Sequence, residues 1–168
     1  MTDQAGRRSH LAALIRQYHR DTDAFDQAVA ERLAMSRTDL RCLDLVLELT
    51  TGGQPVTPTR LAEAAGLTPS TITSVLDRLE RAGYVRRIRE QANRRQVLLQ
   101  LTAKFAEVAE EIFGPVAAEG TAELAQLADA EVDTLIAFFS HAHDQRRKRA
   151  QLIREQTAML GDDGQETR

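Results

Sequence analysis

Several residue types are scarce in this 168-residue chain, and each scarcity excludes a class of structure. There is no tryptophan, and Cys42 is the single cysteine, so no disulfide can form within the chain. No run of about 18 apolar residues occurs, which excludes a membrane-spanning helix. The first residues contain no apolar stretch of the kind that a secretory signal requires. We therefore expect a cytoplasmic protein that does not enter a membrane.

Motifs for catalysis and metal binding are also missing. The sequence holds no glycine-rich phosphate loop, HExxH helix, serine nucleophile elbow or CxxC pair. Glu110 and Glu111 are adjacent, so on a helix their carboxylates would point apart. His141 and His143 would point about 200° apart and could not bind one ion together. We predict that the protein is not an enzyme and has no metal or cofactor site.

Charge is unevenly distributed along the chain. The segment from Pro55 to Thr102 holds eight arginines and four acidic residues, a net charge of +4, whereas the whole chain has a net charge of −3. The flanking segments together therefore carry −7. A basic centre between acidic arms is expected of a protein that binds nucleic acid through its middle part. Solvated arginines on an ordinary surface are the alternative.

Apolar residues recur at helical spacing over most of the chain and at strand spacing in one short stretch. Four helix starts carry capping signals: Ser36 with Asp39, Thr57 or Thr59, Thr68 with Pro69, and Thr102. Gly114–Pro115 is expected to kink or interrupt the fifth helix. The predicted helices are 9–33, 37–50, 60–65, 69–82, 103–127 and from 129 past 149, and the predicted strands are 84–88 and 97–101. The fold class is therefore mainly α with a small β-hairpin.

We divide the chain into helical arms at residues 9–34 and 103–160, a central domain at 36–102 and a disordered tail at 161–168. The tail is polar and rich in glycine, as chain ends without fixed structure commonly are. The long arm helices carry apolar stripes that need a partner to bury them. We therefore expect a homodimer.

The third and fourth predicted helices are short and joined by a tight turn, as in a helix-turn-helix unit. On a helical projection Ile72, Val75, Leu76 and Leu79 share one arc, so that side is expected to be buried. Short hydrogen-bonding groups beside long cations are what a DNA recognition helix needs. The opposite arc carries small polar residues followed by arginines: Ser70, Thr73, Ser74, Asp77, Arg78 and Arg81.

The predicted hairpin is rich in arginine. Arg86, Arg87 and Arg89 lie on or just after its first strand, and Arg94 and Arg95 precede its second. A basic hairpin directly after a recognition helix is typical of a wing, whose tip places a guanidinium group in the narrow minor groove. A charged hairpin at a solvated sheet edge is the alternative, and the neighbouring helix favours the wing.

The central part of the chain resembles the MarR family of bacterial transcription regulators. The resemblance rests on VTPTRLAEAAGLTPSTITSVLDRLERAGYVRR followed by NRRQVLLQLT, within residues 36–105. In that family an Asp-Arg-Arg motif commonly ends the wing, and here Asn93, Arg94 and Arg95 hold those places. An amide thus replaces the carboxylate that would pair with a wing arginine. Phe105 stands where a glycine usually follows the Leu-Thr pair.

The resemblance implies a winged helix-turn-helix fold in which the first and the last two helices form the dimer interface. It also implies a repressor that binds a pseudo-palindromic operator in double-stranded DNA. We expect hydroxyl groups to contact bases or nearby phosphates, Arg78 and Arg81 to grip phosphates, and Arg94 or Arg95 to enter the minor groove. The predicted DNA-binding residues are Thr57, Arg60, Pro69, Ser70, Thr71, Thr73, Ser74, Arg78, Arg81, Arg86, Arg87, Arg89, Asn93, Arg94 and Arg95.

The family often binds small aromatic effectors in a cleft beside the DNA-binding lobes. The candidates here, each of which also suits a plain core position, are Tyr18, His19, Phe25, Leu43 and Phe113. Some members sense peroxides through a thiolate, for which Cys42 is the candidate, although its apolar helix also fits a buried, inert thiol. A winged helix that binds protein instead of DNA is a further alternative.

Overall fold

The computed structural model describes residues 2–89 and 96–162, and within those ranges it contains six helices and one two-stranded sheet. This composition confirms the predicted fold class, a mainly helical chain with a hairpin after its fourth helix. In chain order the elements are α1 (Thr2–Arg32), α2 (Arg37–Thr51), α3 (Pro58–Ala65), α4 (Pro69–Arg81), β1 (Val85–Arg89), β2 (Val97–Leu101), α5 (Ala103–Leu124) and α6 (Asp129–Asp162).

Side-chain caps fix the helix starts that the sequence predicts. At the start of α2, the Ser36 hydroxyl accepts from the Asp39 N–H at 3.1 Å, and the Asp39 carboxylate accepts from the Ser36 N–H at 3.3 Å. At the start of α5, the Thr102 hydroxyl accepts from the Phe105 N–H at 3.2 Å. Each bond satisfies a backbone donor that has no partner within the helix, so the local sequence sets these boundaries.

Several helix boundaries differ from the prediction, among them the start of α3 at Pro58 and the end of α5 at Leu124. α1 begins at Thr2 instead of residue 9. α5 is not interrupted at Pro115; the proline removes the hydrogen bond to the carbonyl of Glu111 and crowds that carbonyl, and the neighbouring bonds maintain the helix. α6 extends to Asp162, so the first two residues of the predicted tail are helical, since a helix already formed gains one bond for each added residue. Residues 163–168 lie outside the described residues.

The chain separates into two compact units, one ending at Pro115 and one starting at Val116. In the first unit, α2, α3, α4 and the hairpin enclose the main core, in which Leu43, Leu61 and Leu79 are at most 1% exposed. The two strands pair antiparallel, with Val85 opposite Leu101. The Leu99 N–H donates to the Val56 carbonyl at 2.8 Å, so the loop before α3 is held against β2.

A smaller apolar cluster of Val29, Ala30 and Leu40 joins α1 and α2, with Ile112 and Phe113 of α5 packed against it. This cluster attaches α1 and the first part of α5 to the central domain.

Large apolar side chains remain exposed on α1 and α6. On α1, Leu11 is 53% and Tyr18 is 68% exposed, and on α6, Ile136 is 58% and Phe139 is 60% exposed. Apolar area of this size is ordinarily buried against another surface. No helix within residues 2–89 and 96–162 combines the length and the apolar character needed to cross a membrane.

Candidate DNA-binding surface

α3 and α4 form a compact two-helix unit with a short turn between them. Thr57 caps α3, its hydroxyl accepting from the Arg60 N–H at 3.2 Å. Gly66 ends α3 with a φ of 66°, a left-handed conformation that glycine adopts without strain. Thr68 then caps α4 by accepting from the Thr71 N–H at 3.3 Å, and Pro69 takes the first helical position. The turn between the helices is therefore fixed by local sequence.

α4 has one buried and one exposed face, as predicted. Ile72, Val75, Leu76 and Leu79 are at most 1% exposed and pack into the main core. The exposed side chains on the opposite side are Ser70, Thr71, Thr73, Ser74, Asp77, Arg78 and Arg81. The core thus fixes the rotation of α4 about its own axis and determines which side chains reach solvent.

Hydroxyl groups on the exposed face bond to the start of α4 itself. The Thr73 hydroxyl donates to the Pro69 carbonyl at 2.9 Å, and the Ser74 hydroxyl donates to the Ser70 carbonyl at 3.3 Å. The Thr71 hydroxyl lies 2.8 Å from that of Thr68. These bonds leave lone pairs on the oxygens available as acceptors.

Arg78 does not extend freely into solvent, because it forms a bidentate ion pair with Asp39 at the start of α2. Its Nε lies 3.1 and 3.0 Å from the two carboxylate oxygens, and its Nη2 lies 2.6 Å from Oδ1. The Asp39 side chain is 5% exposed and that of Arg78 is 44% exposed. The guanidinium group that the sequence assigned to phosphate thus ties α4 to α2.

The protonation of Asp39 reflects this pairing. Burial acts to raise the pKa of Asp39, but hydrogen bonds from Arg78 and Ser36 outweigh it and hold the pKa below its ordinary value. The same pair raises the pKa of Arg78. Both groups are therefore charged at neutral pH, and the bidentate pair persists.

Arg87 ties the hairpin to α4 in a similar way. Its backbone N–H donates to Glu80 Oε1 at 2.8 Å, and its guanidinium group bonds to the other Glu80 oxygen. Nη2 of Arg87 also lies 2.8 Å from Asp77 Oδ1. β1 and α4 are therefore held together by main-chain and side-chain bonds.

The other arginines that were predicted to bind DNA differ in the contacts that they make. Arg60 donates to the Gln54 amide oxygen at 2.9 Å, and Arg86 donates to that of Gln100 at 2.6 Å. Arg81 and Arg89 are exposed and have no ion-pair partner among the residues that the structure describes. Asn93, Arg94 and Arg95, predicted at the hairpin tip, lie outside the described residues.

A cleft of about 620 Å³ lies beside α2 in the first unit, and its walls include residues of α1 and α5. Of the predicted effector residues, Leu43 and Phe113 line this cleft. The Phe25 ring stands edge-on to that of Phe113, with 5.8 Å between centroids, but Phe25 is not among the lining residues. Tyr18 and His19 lie on the exposed surface of α1, also outside that lining.

Charged groups of both signs occur at this cleft: Asp26, Arg37, Arg41 and Asp44. Burial raises the pKa of Asp44, and the nearby carboxylates of Glu48 and Asp26 raise it further. Arg37 pairs with Asp26 at 3.5 Å. Cys42 also lines the cleft, but it is 0% exposed, and burial raises the pKa of its thiol.

Two short helices joined by a tight turn, followed at once by an antiparallel hairpin bonded to the second helix, define a winged helix-turn-helix protein. The MarR family pattern matches residues 35–97. The chain is 32% identical over 133 residues to the HTH-type transcriptional regulator YcgE of Bacillus subtilis, covering 78% of this chain and 82% of YcgE. The chain belongs to the MarR family. It is thus a transcriptional regulator and not an enzyme, as predicted.

Solved structures share the fold at low sequence identity. MepR of S. aureus in complex with DNA superposes with a TM-score of 0.54 at 16% identity, covering 80% of this chain and 98% of MepR. MepR bound to ethidium bromide gives a TM-score of 0.56 at 16% identity, covering 80% and 94%. These likenesses support the winged helix-turn-helix fold.

Proposed function

We propose that this regulator binds a pseudo-palindromic operator as a homodimer and represses transcription there. The observation that carries the proposal is the exposed face of α4, where hydroxyl side chains are held rigidly beside an arginine-bearing hairpin. A helix with this chemistry suits the major groove, where short side chains reach base edges. A DNA-bound regulator acts in the cytoplasm of a bacterium.

The contacts of the free protein suggest a role for each predicted group. Exposed Arg81 and Arg89 are available for phosphates, whereas Arg78 and Arg87 are positioning residues that hold α4 against α2 and the hairpin. Thr57 serves the cap of α3. The remaining predictions are kept as proposals: base or nearby phosphate contacts by Ser70, Thr71, Thr73 and Ser74, DNA contacts of unspecified kind by Arg60, Pro69 and Arg86, and minor-groove contacts by Arg94 or Arg95 beside Asn93.

Dimerisation would bury the apolar side chains exposed on the arm helices. Leu11 and Leu14 of α1 are 53% and 47% exposed, and Phe139 of α6 is 60% exposed. A two-fold pair would present two α4 helices to half-sites about 34 Å apart, one turn of DNA. Sedimentation across a dilution series tests this state, and a monomer at all concentrations would refute it.

The DNA proposal is tested by fluorescence anisotropy, with DNA flanking the protein's own gene compared with scrambled DNA over a salt series. Ser74→Ala should lose about 1–3 kcal/mol of affinity for the specific site only. Arg81→Ala should weaken every sequence and lower the salt slope by about one. Arg20→Ala, which removes an exposed arginine of α1, is the charge-matched control.

Variants of the hairpin tip extend the same test. Arg94→Ala and Arg95→Ala should weaken the specific site. If the protein did not prefer the flanking DNA to scrambled DNA, and selected no sequence from random-sequence DNA, a winged helix that binds protein would be favoured instead.

A small aromatic effector in the cleft beside α2 is the second part of the proposal. The cleft volume lies in the range usual for ligand sites, and Phe105 and Phe113 contribute aromatic walls. MepR, which shares the fold, binds the flat aromatic cation ethidium. Aromatic carboxylates, phenols and ethidium should be compared for their effects on melting temperature and DNA affinity. No effect from any of them would refute the effector proposal.

Thiol sensing is the less favoured mechanism. Cys42 is fully buried, and burial raises the pKa of its thiol, so little reactive thiolate forms at neutral pH. Loss of DNA binding in peroxide, prevented by Cys42→Ser, would reverse this preference.

A further inference from the structure

We infer that the exposed face of α4 recognises thymine in an A·T base pair, through a methyl contact made by Thr73 beside Pro69. This inference rests on the DNA binding proposed above and names the chemistry by which that binding becomes specific. It follows from which groups α4 presents, which groups it lacks, and which hydrogen bonds its hydroxyl groups make.

The start of α4 lacks the long side chains that commonly pair with guanine. From Pro69 to Asp77 there is no Arg, Lys, Asn, Gln or His. Recognition of guanine commonly uses Arg or Lys on its O6 and N7 atoms, and paired recognition of adenine uses Asn or Gln. The first arginine of α4 is Arg78, which is engaged by Asp39. The segment from Pro69 to Asp77 therefore has no long side chain that could donate a hydrogen bond to a base edge.

Two hydroxyl groups on this face already donate their hydrogens. Thr73 donates to the Pro69 carbonyl at 2.9 Å, and Ser74 donates to the Ser70 carbonyl at 3.3 Å. What they offer to DNA is a lone pair, which is an acceptor. Asp77 is already engaged by Arg87 at 2.8 Å. Thr73 and Ser74 therefore present acceptors to solvent, whereas the hydroxyl groups of Ser70 and Thr71, 3.0 and 2.8 Å from that of Thr68, can donate or accept.

Thr73 and Pro69 add an apolar component. The Thr73 hydroxyl is bonded to the helix backbone, so the methyl group on the same carbon is the part of this exposed side chain that remains for an apolar contact. Pro69 lies one turn earlier, and both residues are exposed. Residues four apart are neighbours on a helix surface, so the proline ring and the threonine methyl form a small apolar strip beside the acceptors.

The apolar strip matches one feature of one kind of base pair. In the major groove the thymine of an A·T pair presents a methyl group, which a G·C pair lacks. The amino groups of adenine and cytosine are both donors, so a hydroxyl lone pair accepts from either and does not distinguish the two pairs. The methyl contact therefore carries the preference for A·T under the start of α4.

The test uses the full-length protein and the duplexes that it enriches from a random-sequence DNA library. Each thymine of a half-site is replaced in turn by deoxyuridine, which removes only the methyl group. At one thymine or more, binding should weaken about four-fold, the value of burying one methyl group. Thr73→Ser should abolish the difference between thymine and uracil there, and Thr73→Val should preserve it.

Thr51→Ser is the matched control, because the Thr51 hydroxyl also donates to its own helix, to the Leu47 carbonyl at 2.9 Å. It should discriminate thymine from uracil as the parent protein does. If specific duplexes are enriched but uracil is tolerated at every position, or conserved G·C pairs occupy the positions facing α4, this inference is overturned and the DNA-binding proposal stands. If no duplex is enriched, the DNA-binding proposal fails, and the inference fails with it.

Discussion

Replacing Arg78 with alanine tests whether this residue holds α4 in place or binds phosphate. Removing one partner of a fully buried ion pair costs about 3–5 kcal/mol, and exposed pairs contribute below about 1 kcal/mol. The Asp39 side chain is 5% exposed and that of Arg78 is 44% exposed, so this pair lies between the two limits. We expect Arg78→Ala to lower the free energy of unfolding by about 2 kcal/mol.

The loss should depend on pH in a defined direction. Burial acts to raise the pKa of Asp39, but the bonds from Arg78 and Ser36 lower it below the ordinary value of 3.8. The pair therefore stabilises the protein fully above about pH 4, and this contribution is lost as the pH falls through the lower folded-state pKa. Urea unfolding at fixed protein concentration should show the variant approaching the parent protein at low pH.

DNA binding separates the two roles of Arg78. A positioning residue, once removed, weakens binding without changing the number of phosphates contacted, so the salt slope should stay that of the parent protein. Arg81→Ala should lower the slope by about one. If Arg78→Ala lowered the slope as much as Arg81→Ala, and unfolding were unaffected at neutral pH, our assignment of Arg78 would be refuted.

Three further predictions follow from single contacts. Arg87→Ala should weaken specific DNA binding by removing the side-chain bonds from the hairpin to Glu80 and Asp77, although the main-chain bond to Glu80 remains, while unfolding changes by less than about 1 kcal/mol; unchanged affinity would count against this. Ala34→Gly should raise the free energy of unfolding by about 0.5–1 kcal/mol, because Ala34 has a φ of 51°, and urea midpoints measure it. Cys42→Ser should cost about 1–3 kcal/mol by placing a hydroxyl in the core, and peroxide should leave the parent's DNA affinity unaltered.

Local chemistry made the helix boundaries near the candidate site predictable. Ser36 with Asp39 and Thr68 with Pro69 are capping signals a few residues long, so the sequence contains all the information needed to place α2 and α4. The buried arc of α4 follows from helical periodicity, and Leu79 lies in it as expected.

Long-range pairing was not predictable in the same way. The capping pattern identifies Asp39, but nothing in its spacing indicates that the carboxylate also binds Arg78, 39 positions later. The sequence therefore placed Arg78 on phosphate by its position on the exposed arc alone. The bond from Leu99 to the Val56 carbonyl likewise depends on how α3 packs, which no local pattern encodes.

The bonds between Arg87 and α4 also bear on which operators the proposed complex would accept. Because main-chain and side-chain bonds join α4 to the hairpin, the protein would set the distance between the proposed major-groove contact and the adjoining minor-groove contact. One inserted base pair between those sites would shift them by about 3.4 Å along the duplex and rotate them apart by about one tenth of a turn. A base substitution in the operator would therefore lower the affinity by a graded amount. An insertion within a half-site would instead abolish either its major-groove or its minor-groove contact.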